Sequence, residues 1–329
     1  MTLSCCFIHY KTGQLDGRGI VRGMTKTFIL SLCLASSSAF AVFDAADLQT
    51  LIAASEAKDS DVLMVWKDGV LLHATDTDAT KQYSIQSVTK SLTSLVVSCI
   101  LKDHPEKLDQ THLFPDWEGT PKADVSVRQL LGMNSGIIDP ADPRGRRDFY
   151  AHAAGQPLTH APGTTFSYAN VSPMIVGKWI RDTSGQQFSV HAKSCFFDAM
   201  GITEWRIGKD AMRNEVVAGG VRILAADLLK IGIMLAQGGV YEGQQLMTPE
   251  QIAALRVDPL ADGNPYGLGW WLNRNQFYAA GYQGQYLIVV PAERLVVLRL
   301  RNRDNMRRTP GNVANWFKEL PGLVSRLTR

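Results

Sequence analysis

Apolar residues fall at helical spacing in several stretches of the chain. Residues 44–57 place Leu48, Leu51, Ile52 and Ala54 on one face, and residues 87–101 do the same with Leu92, Leu95, Val96, Cys99 and Ile100. Further helices are predicted over 125–133 with Ser126 as N-cap, 172–182, 188–200 closed by Gly201, 225–237 ended by Gly238-Gly239, and 312–327. β-rich runs at 61–66 and 70–74 flank Lys67-Asp68-Gly69, a hairpin signal. A second hairpin is predicted from 285–290 and 295–300 around Pro291-Ala292-Glu293-Arg294, and 266–272 reads as another strand. Residues 139–165 are rich in Pro, Gly, Asp and Arg and read as a long ordered loop beside a site. With strands at both ends and helices between them, the order predicts an α/β (α+β) fold. One antiparallel sheet is assembled from both ends of the chain, and a helical lobe is inserted.

Composition narrows the function classes. The 329 residues are 45% hydrophobic and 20% charged, which excludes disorder as the main state. A formal net charge of +3, from 34 basic and 31 acidic side chains, carries no nucleic-acid or polybasic membrane signature. Residues 24–41 read as a secretory signal. Lys26 follows Met24, Phe28 to Ala35 form a short apolar run, and Ser38-Ala39-Phe40-Ala41 ends in a small-x-small pattern, which predicts cleavage after Ala41. The mature protein is then exported, periplasmic, and not held in a membrane. Residues 1–23 read as an upstream extension from a mis-assigned start. Of five cysteines, Cys99 and Cys195 stay in the mature chain, where an oxidising compartment permits a disulfide between them; Cys99, however, lies on an apolar helix face, and a buried free thiol is the expectation. No HExxH, CxxC or phosphate-binding glycine loop is present, so no metal or other cofactor is expected, and His152 and His160 read as loop residues. Absence of a Gly-x-Ser-x-Gly elbow argues against an α/β-hydrolase.

The candidate chemistry begins at Ser87-Val88-Thr89-Lys90, at the start of the second predicted helix. Residues three apart share a helix face, so a hydroxyl and an amine can meet there. A serine hydroxyl is a poor nucleophile until a base takes its proton, and a neutral lysine amine can do so once burial lowers its pKa. The motif is short, and Ser55-Glu56-Ala57-Lys58 repeats it at what reads as a solvated helix end. The competing reading of Ser87 is a plain N-cap. Tyr168-Ala169-Asn170 supplies a hydroxyl for proton relay and an amide for positioning. Gly281-Tyr282-Gln283-Gly284-Gln285 opens a β-run, where glycine lets a substrate approach a strand edge and the Gln285 N–H can pair with that of Ser87 as an oxyanion hole. Trp205, Trp270 and Trp271 are expected in the core by default.

Ser-x-x-Lys, then Tyr-x-Asn about eighty residues later, then a glycine triplet opening a C-terminal strand resembles the penicillin-recognising serine hydrolases. The nearest group is that of class C β-lactamases, D-amino-acid peptidases, family VIII esterases and 6-aminohexanoate-dimer hydrolases. The segments VSVRQLLGMNSG, PGTTFSYAN, GGVRILAAD and YGLGW fit the same order over about residues 47–320. The resemblance implies a β-lactamase/penicillin-binding-protein-like fold, an antiparallel sheet flanked by helices plus an all-helical lobe. One catalytic domain spans 42–329, with a sheet lobe at about 42–105 and 215–329 and a helical lobe at about 106–214. It implies Ser87 as acylated nucleophile, Lys90 as its base, Tyr168 as general acid/base, and Asn170, Gly284 and Gln285 as substrate-binding residues. The implied activity is hydrolysis of a small-molecule or short-peptide ester or amide. β-Lactamase or D-amino-acid peptidase/transpeptidase activity, and a non-catalytic binder, are the alternatives. The third motif departs from the family's basic Lys-Thr-Gly: the matching positions read Tyr282-Gln283-Gly284, without a cation to grip a substrate carboxylate. Arg144, Arg146, Arg147 and Arg299 are the candidate substitutes.

Overall fold

The computed structural model describes residues 45–75, 78–140, 147–258, 260, 265–302 and 319–328. The predicted signal segment therefore lies outside the described residues. The helices are α1 (Ala45–Glu56), α2 (Val88–Ile100), α3 (Val127–Leu131), α4 (Phe149–Ala154), α5 (Val171–Ser184), α6 (Phe188–Ala192), α7 (Ala225–Ala236), α8 (Pro249–Leu255) and α9 (Glu319–Arg326). Strands are β1 (Val62–Lys67), β2 (Val70–Ala74), β3 (Gln82–Ser84), β4 (Trp205–Ile207), β5 (Val221–Leu224), β6 (Val240–Tyr241), β7 (Gln244–Gln245), β8 (Trp271–Asn273), β9 (Gln276–Gly281), β10 (Gln285–Val290) and β11 (Leu295–Leu300).

The main sheet has the order β2-β1-β11-β10-β9-β8. β1 pairs antiparallel with β11 in the register Val65↔Val297, which joins the two ends of the chain as their patterning predicts. Side chains alternate across a strand, so every residue of β11 finds a buried side. Val296, Leu298 and Leu300 enter the larger core beneath α2 and α7, while Leu295 and Val297 pack against Leu51 of α1 and Leu320 and Val324 of α9. A second sheet, β3-β5-β4, stands beside the start of α2.

Several expectations are corrected. Residues 266–272 do not form a strand; only Trp271–Asn273 does. Gly269 has φ +79°, and a Cβ there would lie 3.1 Å from the Lys90 carbonyl, so this stretch bends to wedge against α2. The 139–165 loop contains α4, whose N-cap Asp148 accepts from Ala151 N, and His152 sits on this helix. Ser55 is buried and Lys58 pairs with Glu319, so the second Ser-x-x-Lys is not a solvated helix end. Cys99 is not a free thiol. α2 packs on α6, which sets Cys99 opposite Cys195 with Cα atoms 6.3 Å apart, and the two form a disulfide.

Candidate active site

Ser87 enters through a strand–turn–helix segment. β3 leads into Ile85 and Gln86, the latter held at φ +51°, and α2 begins at Val88. Ser87 occupies the N-cap position, but its side chain makes no capping hydrogen bond. Its hydroxyl faces Lys90, whose Nζ lies 2.9 Å away. The plain N-cap reading is thereby excluded.

Lys90 is buried and has two further partners, Asn170 Oδ1 at 2.9 Å and the Ala218 carbonyl at 2.7 Å. Both of those atoms only accept. They consume two N–H bonds of the amine and leave its third position toward Ser87 Oγ. As an ammonium, Lys90 donates to that oxygen; as a neutral amine, it presents a lone pair to the serine proton. Burial pulls the Lys90 pKa from 10.5 down to about 7, against the opposing pull of the Asp139 charge. Proton exchange with Ser87 is thus accessible near neutrality.

The acceptors are fixed from behind. Asn170 Nδ2 donates to Asp139 Oδ2 at 3.1 Å, which turns the amide oxygen toward Lys90. Asp139 Oδ1 also accepts from Val171 N, the first residue of α5. The segment carrying Ala218 is tied to α2 by Thr93 Oγ1 donating to the Val217 carbonyl and by Val221 N donating to Thr89 Oγ1. Asp139 was not among the residues expected at the site. A lone acidic residue in a loop has no local pattern to mark it, and its partner lies 31 positions away.

Tyr168 completes the group from a loop held by Ser167 N bonding to the Met133 carbonyl. Its ring stacks on Trp271 at 5.7 Å and meets Tyr266 edge-on at 6.0 Å. Lys90 Nζ lies 5.1 Å from its centroid. Burial raises the Tyr168 pKa above 10.0, while a hydrogen bond with the Ser87 side chain lowers it. The net upward shift keeps the phenol protonated at neutral pH, as a proton donor requires. Of the three tryptophans expected in the core, Trp270 is there and Trp205 packs against Phe197, but Trp271 lines the cleft.

The structure brings Ser87, Lys90, Tyr168 and Asn170 together. It does not bring Gly284 and Gln285 to the cleft. Gly284 lies in the turn between β9 and β10, with its carbonyl held by Arg299 at 2.8 Å. Gln285 is fully buried, and its Oε1 accepts from Arg301 N. The strand that faces Ser87 is β9, whose Ala280 and Gly281 line the cleft with the following Tyr282. A Cβ at Gly281 would lie 2.5 Å from the Ile85 carbonyl oxygen, so only glycine lets this strand end reach the turn before Ser87. The expected glycine is therefore three positions too late. Both belong to the same hairpin, and a sequence motif does not say which of two nearby glycines makes the close approach.

Arg299 is not a free carboxylate anchor, because Ser60 Oγ, the Lys58 carbonyl and the Gly284 carbonyl hold it inside the protein. Arg147 does not line the cleft, and Arg144 and Arg146 lie outside the described residues. Among the described residues no cluster of His, Cys, Asp and Glu is arranged to hold a metal, and no helix is long and apolar enough to cross a membrane.

The fold is shared with solved structures. A Bacteroides dorei DSM 17855 protein assigned as a beta-lactamase superposes with TM-score 0.72 and 17% identity, covering 88% of this chain and 100% of that one. A Bacillus anthracis protein assigned as a 6-aminohexanoate-dimer hydrolase gives TM-score 0.70 and 18% identity, over 85% of this chain and 80% of that one. The penicillin-binding protein of Bacillus halodurans gives 0.61 and 18%, over 79% and 98%. At these identities the likeness establishes the fold. No curated protein sequence matches the chain significantly. The Beta-lactamase family profile, however, matches residues 48–317, nearly the whole of the described fold, and the chain belongs to that family of serine hydrolase fold.

Proposed function

We propose that this protein is a serine hydrolase that forms an acyl-enzyme on Ser87 and cleaves an ester or amide bond. The observation that carries the reading is the contact set of Lys90: two fixed acceptors and, in the remaining direction, Ser87 Oγ at 2.9 Å. In the proposed cycle, neutral Lys90 takes the Ser87 proton as Oγ bonds to the substrate carbonyl carbon. The oxyanion is assigned to the backbone N–H groups of Ser87 and Tyr282, where β9 meets the turn before α2. Collapse breaks the bond to the leaving group, which takes a proton from Tyr168, and the proton held by Lys90 restores the phenol. Water then attacks the acyl carbon with the same proton transfers reversed, which frees Ser87.

Lys90 has its contacts taken by Ser87, Asn170 and Ala218, and no other Lys or Arg is among the described cleft residues, which favours ester or simple amide substrates over β-lactams and peptides with a free carboxylate. The test is turnover of p-nitrophenyl butyrate beside nitrocefin by the wild type and Ser87→Ala. Ester hydrolysis lost in the variant supports the reading, and nitrocefin as the far better substrate would replace it with the β-lactamase alternative. Slow acylation without turnover would favour a binder.

We also propose export, with residues 24–41 as the signal. The disulfide supports this reading, since such bonds persist in oxidising compartments. A mature protein beginning far from Val42 by mass would contradict it.

A further inference from the structure

The cleft at Ser87 has a volume of about 560 Å³, and its far side is mostly apolar, with His152 of α4 among the residues that line it. Phe149 and Ala153 stand four positions apart on α4 and so share a face; Val171 and Met174 stand three apart on α5. Val216 adds to this surface from the segment before β5, and Trp271 from the aromatic group around Tyr168. The two helices form one wall. Gly177 of α5 faces Tyr150 of α4, with room for no Cβ between them: one there would lie 2.5 Å from Oη. Tyr150 Oη in turn donates to the Glu215 carbonyl, next to Val216.

Charge in the cleft points the same way. Asp139 is the one carboxylate among the described lining residues, and both its oxygens are engaged by Asn170 and Val171. A carboxylate on the acyl group would meet this negative charge, while Lys90, the cation that Asp139 favours, already has its contacts taken by Ser87, Asn170 and Ala218.

We propose that the wall made by α4, α5 and Val216 is the acyl-binding subsite, and that the substrates are esters or amides of uncharged, apolar acyl groups. This inference rests on the acyl-enzyme reading of Ser87. It assigns specificity to Phe149, Ala153, Met174 and Val216, which touch the acyl chain and not the reacting carbonyl.

The experiment compares kcat/KM for p-nitrophenyl acetate, butyrate, hexanoate and octanoate, and for the p-nitrophenyl monoester of adipic acid. The expected series rises roughly threefold per added methylene up to hexanoate, as apolar surface leaves water. The adipate monoester is expected at least about tenfold below hexanoate, because its terminal carboxylate is desolvated without a partner. In Met174→Gln, the octanoate-to-acetate ratio is expected to fall about tenfold, the effect of a buried unpaired amide. Val216→Thr, nearly isosteric, provides the same readout if Met174→Gln does not fold. A flat or falling chain-length series, an adipate ester as good as hexanoate, or unchanged ratios in both variants would overturn the subsite. No hydrolysis of any ester, with Ser87 also unreactive, would remove the acyl-enzyme reading and the subsite with it, a result distinct from flat turnover.

Discussion

In the proposed mechanism Lys90 sets the pH behaviour of the site. Its amine must be neutral to take the serine proton, and burial brings its pKa to about 7. The acidic limb of kcat/KM is therefore expected to rise through about pH 7 and level off above it. In Asp139→Asn the charge that favours the ammonium is gone, so the limb moves to lower pH; a limb that stays in place or moves up would contradict the role given to Asp139. Because the folded-state pKa lies below the unfolded value of 10.5, the unfolded chain binds more protons between those limits, and stability rises with pH there. The cost is complete at and below about pH 7. Lys90→Met is accordingly expected to lose activity and gain thermal stability, by more at pH 6 than at pH 9. Thermal melts at the two pH values check the sign. Legibility at this scale followed sequence proximity. Ser87 and Lys90 lie within one helical turn, and Tyr168 and Asn170 stand out as a pair, whereas Asp139 is 31 residues from the Asn170 amide that it holds.

Long elements with regular patterning were readable, and short ones were not. The β10–β11 hairpin and α7 follow directly from continuous apolar runs and their turn residues. β3, β4 and β5 are three or four residues long, too short for alternation to register, yet β3 and β5 hold the turn that presents Ser87. β9 was hidden because Gln276–Gly281 carries a polar first residue and three small ones at its end. That end is nevertheless sensitive to change. In Gly281→Ala the new Cβ would press on the Ile85 carbonyl, so β9 or the Ser87 turn must move. Overpacking of this kind costs about 1–3 kcal/mol. The variant is expected to melt at lower temperature and to lose far more kcat/KM than Gly284→Ala loses. Equal loss in the two variants, read from ester hydrolysis, would return the third motif to Gly284.

On the scale of the whole molecule, one antiparallel sheet made from both chain ends carries helices on each face, and the cleft opens where β9 meets α2 and the α4–α5 pair. The Cys99–Cys195 link joins α2 to the turn after α6 across a sequence separation of 96. Closing a loop of that length stabilises the fold by about 4.7 kcal/mol in the chain-entropy account. Reduction, or Cys99→Ala with Cys195→Ala, is expected to lower Tm while leaving Ser87 reactive at 25 °C. A Tm indifferent to reductant would contradict that contribution. The pairing was missed because each cysteine on its own looks like a small apolar residue; only helix packing brings them face to face. The central claim remains that Ser87 is an activated nucleophile, and intact mass after treatment with a fluorophosphonate tests it most directly. A single adduct on the wild type that is absent from Ser87→Ala is the expected result. An unmodified, correctly folded wild type, or an adduct that persists in the alanine variant, would contradict it.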